Sequence, residues 1–355
     1  MATLVPTLNP ISFPHEVDQL VVSASGDFRF EMLLDNKVLL SSRLTPDRAK
    51  KSYITDLAQL IIDSLPEDSD RWTVTTYHLV IKLDGTVVAQ TYILPCRLRL
   101  DESAMDFINQ SFLTPCGARK RTHRKALEYL FAYYGPDDTL GYYGEITSYW
   151  VNSDNNVIVF NQKVDKKTML MYDDGDSFSL DVSPSKLQVP PSESPLFLSR
   201  YDVVVGARRQ NYILFPQVAN LTHVKDFSFI NAFGIEDTFH CFSIEEKETK
   251  FEYHAAIVHA YMRNYLIQAI PSWKIKTGPL LDEERILIED FCTSNTIESA
   301  EGLPLTITVC EMKESDAWAY QTEAVISYRH SQNSFRNHIG RPVQTFDQTF
   351  DKTFE

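Results

Sequence analysis

In FRFEMLLDNKVLLSSRLTP, residues 28–46, Phe28, Phe30, Met32 and Leu34 fall at every second position while Arg29 and Glu31 stand between them. A period of two sends the apolar side chains to one face of a strand and the charges to the other. YHLVIKLDGTVVAQTYILP, residues 77–95, repeats the pattern with Tyr77, Leu79, Ile81 and Leu83, and the two segments align without a gap. Asp35-Asn36 and Asp84-Gly85 part the apolar runs, and these residues tolerate the positive φ of a tight two-residue turn. The spacing therefore predicts two copies of one β-hairpin, each with one buried face. Because a lone hairpin is marginal in water, the copies are expected to pack their apolar faces together.

Between them, SYITDLAQLIIDSLP carries Leu57, Leu60, Ile61 and Leu65 at helical spacing and stops at Pro66. A first β-sandwich domain over residues 1–115 follows, closed by an amphipathic helix in DESAMDFINQSFLT. CGARKRTHRK reads as a polar linker. Strand patterns return in a middle β-rich domain, 116–217, with ITSYWVNSDNNVIVFNQ turning at Asp154-Asn155-Asn156; only KALEYLFAYYG has a helical character there. A third β-rich domain, 218–330, has one docked helix in GPLLDEERILIEDFCTSN, where Asp282, Glu283 and Glu284 favour the first turn and Leu287, Ile288 and Phe291 form the stripe. The remaining extended segment, 331–355, ends in TFDQTFDKTFE, with Phe346, Phe350 and Phe354 at i, i+4 and i+8. Exposed, those rings are an aggregation hazard. They either fold back on the third domain or dock on a neighbouring subunit.

At 355 residues the chain is long enough for two or three cores, and 43% apolar residues with 21 Phe and 17 Tyr let it bury them without staples. A net charge of −14 opposes non-specific attraction to nucleic acid and to anionic membranes. The five cysteines are scattered with no C-x-x-C pair, which encodes neither a disulfide framework nor a zinc knuckle. The first residues lack the basic and apolar regions of a secretory signal, and no run approaches the ~18 apolar residues of a membrane helix.

Candidate chemistry is sparse. Ser183-Pro184-Ser185-Lys186, Ser153-Asp154-Asn155 and Lys276-Thr277-Gly278 match the S-x-x-K, S-D-N and K-T-G triplets of serine β-lactamases, but S-D-N precedes S-x-x-K here and lies in a predicted turn. His254 and His259 are spaced to different faces of a helix, and Asp173-Asp174-Gly175-Asp176 lacks EF-hand spacing. Phosphate-loop glycine motifs are absent. The reading is no enzyme, no cofactor and no metal. The one basic block, Arg119, Lys120, Arg121, His123, Arg124 and Lys125, is expected to be a solvated linker or to dock on an acidic surface such as that of a sister subunit, with nucleic acid as a third reading. Tyr142, Tyr143, Tyr149 and Trp150 leave a carbohydrate-binding or adhesin module as the alternative.

Several phrases resemble tail proteins of tailed phages and prophage-like elements of Gram-negative gut anaerobes: the I-x-D-L-x-x-L-I helix (Ile54, Asp56, Leu57, Leu60, Ile61), F-L-T (112–114), F-I-N-A-F-G-I-E-D-T-F (229–239) and the terminal F-D-x-T-F-D-x-T-F. Ala232-Phe233 departs from the third phrase, where smaller residues are expected. The resemblance implies tandem immunoglobulin- or fibronectin-like β-sandwich domains with a few short helices, in a virion tail component made in the bacterial cytoplasm. It implies action through other tail or baseplate proteins in a homo-oligomeric ring, without nucleic acid or membrane insertion. Phe346, Phe350, Phe354, Arg119, Lys120, Arg121 and Arg124 are the expected assembly contacts.

Overall fold

The computed structural model describes residues 3–5, 7–66, 71–134, 144–165, 167–174, 176–192, 194–215, 223–258, 261–313 and 323–331, excepting the side chains of 254–269 and 313. The architecture is mainly β, in three units. The first holds β1 (Thr3–Val5), β2 (Ile11–Ser12), β3 (Leu20–Ser23), β4 (Phe28–Leu34), β5 (Lys37–Leu44), β6 (Lys51–Ile54), α1 (Leu57–Ile62), β7 (Tyr77–Leu83) and β8 (Thr86–Ile93). Strands run β1-β3-β6 in one sheet and β2-β8-β7-β4-β5 in the other. Between the sheets, Leu20 and Val22 meet Phe30, Met32, Leu79 and Ile81, with Leu57 and Ile61 of α1 closing the core.

The repeated hairpins form as the alternation requires, but they do not face each other. β4 pairs antiparallel with β7, setting Phe30 opposite Leu83 and Leu34 opposite Leu79 in one sheet. Both apolar faces consequently point the same way, and the small sheet and α1 cover them. Asp35, Asn36, Asp84 and Gly85 all have positive φ, and each turn is locked by the other hairpin. Asp35 Oδ1 accepts from the His78 amide at 2.8 Å, and Asp84 Oδ1 accepts from the Arg29 amide at 2.9 Å. The repeat thus builds a pseudo-twofold pair in which each turn caps the start of its partner. Bulges recur at equivalent places, Met32/Leu33 and Ile81/Lys82.

After α2 (Ala104–Gln110), the middle unit contains β9 (Arg119–Thr122), β10 (Tyr129–Tyr133), β11 (Glu145–Asn152), β12 (Val157–Lys163), β13 (Leu170–Asp173), β14 (Ser177–Asp181), β15 (Leu196–Val205) and β16 (Arg208–Leu214). Its sheets are β12-β11-β15-β16-β9 and β10-β14-β13, enclosing Ile146, Trp150, Phe178, Leu180, Tyr201 and Tyr212. Two expectations are corrected here. The segment read as a polar linker is β9, paired in parallel with β16 from Asn211↔Arg119 to Leu214↔Thr122. Within KALEYLFAYYG, Tyr129–Tyr133 is a strand, because Leu130 and Ala132 enter the middle core while Phe131 faces a second core behind it. Burial on both faces hides the period of two.

The third unit has β17 (Lys225–Ile230), β18 (Glu236–Cys241), β19 (Glu246–Val258), β20 (Tyr261–Lys276), α3 (Arg285–Thr293), β21 (Ile297–Ser299), β22 (Pro304–Lys313) and β23 (Glu323–His330). The strands form one seven-stranded sheet, β18-β17-β21-β22-β23-β20-β19, and α3 buries Leu287, Ile288 and Phe291 against Phe227, Phe229, Phe239 and Tyr328. It is a sheet with a docked helix, unlike the two sandwiches before it. No helix among the described residues is long and apolar enough to cross a membrane.

A fourth apolar cluster joins the three units: Phe13 and Leu94 from the first, Phe107 and Ile108 of α2, Phe131 of β10, and Phe233 and Ile235 ahead of β18. The Phe107 and Phe233 rings stack at 5.2 Å. Phe233, the residue that departs from the tail-protein phrase, thus occupies the centre of the joint.

Candidate functional site

β9 lies where the middle unit meets the third, and neighbouring residues on a strand point to opposite faces. Lys120 and Arg121 therefore enter two different sets of partners, both inside the chain. Lys120 Nζ is 2.9 Å from Glu128 Oε2 and 2.9 Å from Asp237 Oδ1, and it donates to Thr238 Oγ1 at 2.9 Å. Arg121 donates through its amide to Glu284 Oε1 at 2.8 Å and through Nε to Glu284 Oε2 at 2.5 Å. Its guanidinium also covers the Phe242 ring at 5.0 Å. Half-exposed Arg119 pairs with Glu283 at 2.6 Å, and Arg124 is exposed. The acidic surface expected for this basic block is supplied by the third unit of the same chain and by Glu128.

The polar chain continues past Glu128. His240 sits between two carboxylates, with Nε2 2.8 Å from Glu128 Oε1 and Nδ1 2.8 Å from Asp226 Oδ1. His123, following β9, brings its Nε2 to the same Asp226 oxygen at 2.8 Å and accepts the Lys125 amide at Nδ1, 3.3 Å away. Asp237 is held by Thr114, whose hydroxyl donates to Oδ2 at 2.8 Å. The order Asp226, His240, Glu128, Lys120, Asp237 alternates negative and positive groups along one buried path. Asp226 alone opens outward, with a side chain 31% exposed against 2% for His240 and 0% for Glu128.

These contacts decide the ionisation. Burial disfavours charge on His240, but the Glu128 charge and the bonds from Asp226 and Glu128 outweigh it and raise its pKa to about 9. Burial pushes Glu128 up, yet Lys120 and His240 hold it down to about 2. Lys120 is likewise raised against burial by Asp237 and Glu128, and Asp226 is lowered against burial by its two histidines. The imidazole is therefore a cation, and the chain of groups is a fixed charged seam. Among the described residues, His123, Asp226 and His240 are the group spaced to hold a metal ion.

Other residues singled out above lie elsewhere. Ser183 is fully buried and bonds Asp181 at 2.5 Å, Lys186 is 3.5 Å from the same Asp181, Ser153-Asp154-Asn155 forms the β11–β12 turn, and exposed Lys276 pairs with Glu323 at 3.6 Å. The three motifs occupy separate elements. Trp150 is buried and donates to Ser148 Oγ at 2.8 Å, and the Arg200 guanidinium covers one face of half-buried Tyr149 at 4.0 Å. Tyr142, Tyr143 and His259 lie outside the described residues, as do Phe346, Phe350 and Phe354.

One further surface stands out. Among the described residues β20 pairs with β23 from Trp273 to Lys276, whereas its ladder with β19 runs on to Val258↔Tyr261. Among the described residues the hairpin beyond Glu248↔Ser272 is thus a two-stranded arm, roughly 35 Å long at the rise of an extended strand. Phe251 and Tyr253, two apart on one face, are 48% and 61% exposed, and Lys250 and Glu252 pair at 3.1 Å on the other.

No family model and no curated protein matches the chain. The likeness to phage tail proteins rests on its short phrases alone.

Proposed function

We propose that the chain is a structural component of a phage tail, at the baseplate, tail tip or a fibre attachment, and works by protein–protein assembly without turning over a substrate. The observation that carries this reading is the β19–β20 arm. A two-stranded ribbon with an aromatic stripe on one face is marginal in water and calls for a covering surface. Three units fused through a common core supply a rigid base from which such an arm reaches a neighbour. In a ring, contacts are head-to-tail and close by rotation, so the occupant is the next copy of this chain.

The test removes the arm while keeping its base. Glu248 and Ser272 are direct partners, so replacing residues 249–271 by Asn-Gly closes the ladder with a tight turn. The expected result is a chain with unchanged circular dichroism and cooperative unfolding that no longer enters tails when it replaces the full-length protein. Complete, infective particles built with the armless chain would defeat the proposal.

A further inference from the structure

We propose that His123, Asp226 and His240 bind a divalent transition-metal ion of the zinc class across the joint between the middle and third units. Their ligand atoms, His123 Nε2, Asp226 Oδ1 and His240 Nδ1, lie within 4.8 Å of one another. Two imidazoles and a carboxylate suit zinc and its neighbours, whereas calcium and magnesium take oxygen ligands. Glu128 Oε1, 2.8 Å from His240 Nε2, stands where a carboxylate orients a metal-bound imidazole. Asp226 opens the cluster to solvent on one side, which supplies an entry path, and three protein ligands leave a fourth position for water.

The two separations to Asp226 are those of hydrogen bonds, the ligand atoms all lie within 4.8 Å of one another, and binding requires them to rearrange to equal spacing. Tetrahedral ligands at zinc bond lengths stand about 3.3 Å apart. Asp226 Oδ1, now 2.8 Å from each ring, has to retreat by about half an ångström, and it is the least enclosed of the three. The ion displaces the proton between His240 Nδ1 and Asp226 to solvent, while the other ring proton stays on His240 Nε2, which donates it to Glu128. At His123 the ring proton moves from Nε2 to Nδ1, which releases the 3.3 Å bond from the exposed Lys125 turn. His123 follows a strand of the middle sheet, while Asp226 and His240 belong to β17 and β18, so one ion ties the two units together.

The test uses the untagged full chain, stripped by a chelator. Calorimetric titration with zinc chloride should show one saturable site with a Kd in the micromolar range or tighter, and cobalt(II) should give the visible bands of a four-coordinate ion. Zinc should raise the thermal midpoint and magnesium should not. Asp226→Asn and His123→Gln, both close in shape to the originals, should keep the circular dichroism spectrum and weaken zinc by about tenfold or more; Glu128→Gln should weaken it by about tenfold. No saturable binding, or equal binding by folded Asp226→Asn and His123→Gln chains, overturns the proposal, the second outcome placing the ion elsewhere.

Discussion

Replacing Lys120 by Met tests whether the charged seam, and not apolar contact alone, holds the middle and third units together. The side chain is 4% exposed, and its two carboxylate partners, Glu128 and Asp237, are 0% and 5% exposed. Met fills a similar volume, so the loss is of charge and of hydrogen bonds. Glu128 keeps His240⁺ and Thr238, but among the described residues Asp237 is left with the Thr114 hydroxyl and a backbone amide. Breaking a buried ion pair from one side costs about 3–5 kcal/mol, because the abandoned charge stays out of water. Against the ~5–15 kcal/mol total of a typical domain, that is enough to lower the urea midpoint substantially. Asp237→Asn on top of Lys120→Met should recover at least half of the loss, since it removes the stranded charge. Lys250→Met, which breaks an ion pair on the exposed face of the arm, should change little. Equilibrium urea unfolding of the four chains decides the matter. A Lys120→Met chain within about 1 kcal/mol of the parent, or an Asp237→Asn change that adds to the damage, would refute the reasoning.

Two further outcomes follow from other parts of the molecule. Asp290 is buried, accepts the Ala232 amide at 2.7 Å, and is pushed up to about 7 by burial. A carboxyl raised above its unfolded value contributes stability that is complete near pH 4 and is lost as pH rises through 7, so Asp290→Asn should flatten that part of the stability profile by about 3 kcal/mol, measured by urea unfolding at pH 4.5 and 8. An unchanged profile would remove Asp290 as its source. Asp35→Ala and Asp84→Ala should each cost about 2 kcal/mol, one part for the lost amide bond and one for an alanine at positive φ, with Asn restoring most of it. Strongly unequal costs, read from thermal unfolding, would contradict the pseudo-twofold pairing.

How far the sequence discloses this molecule depends on what each segment is packed against. The alternation at 28–34 and 77–83 shows which side chains are buried, and Asp-Asn and Asp-Gly show where the chain turns. Neither shows what does the burying, which is why side-by-side hairpins in one sheet read as facing layers. β9 was illegible for the opposite reason. Three charges in a row, Arg119, Lys120 and Arg121, read as a solvated linker unless Asp237 and Glu284, far along the chain, are known to lie against them. β10 is buried on both faces, so Leu130, Phe131 and Ala132 form a continuous apolar run without a period. The cluster of His123, Asp226 and His240 comes from three segments with no motif spacing. One signal was nevertheless present: Glu236, Asp237, Thr238 and His240 interrupt an otherwise apolar phrase, and every residue of β18 is buried.

The joint between the units combines two kinds of contact with different demands on geometry. The Phe13, Phe107, Phe131 and Phe233 cluster gains from area, and apolar packing tolerates small displacements with modest loss. The seam does not: moving β18 by one residue against β9 would take Asp237 and Thr238 away from Lys120 and strip the Lys120–Glu128 pair of its contacts to that strand. Apolar area therefore supplies most of the attraction, and the alternating charges select a single register from the arrangements that area alone would permit. On the proposed reading that division suits the arm. A ribbon roughly 35 Å long magnifies any rotation at its base, so a joint fixed by charge register sets where its tip meets the next subunit.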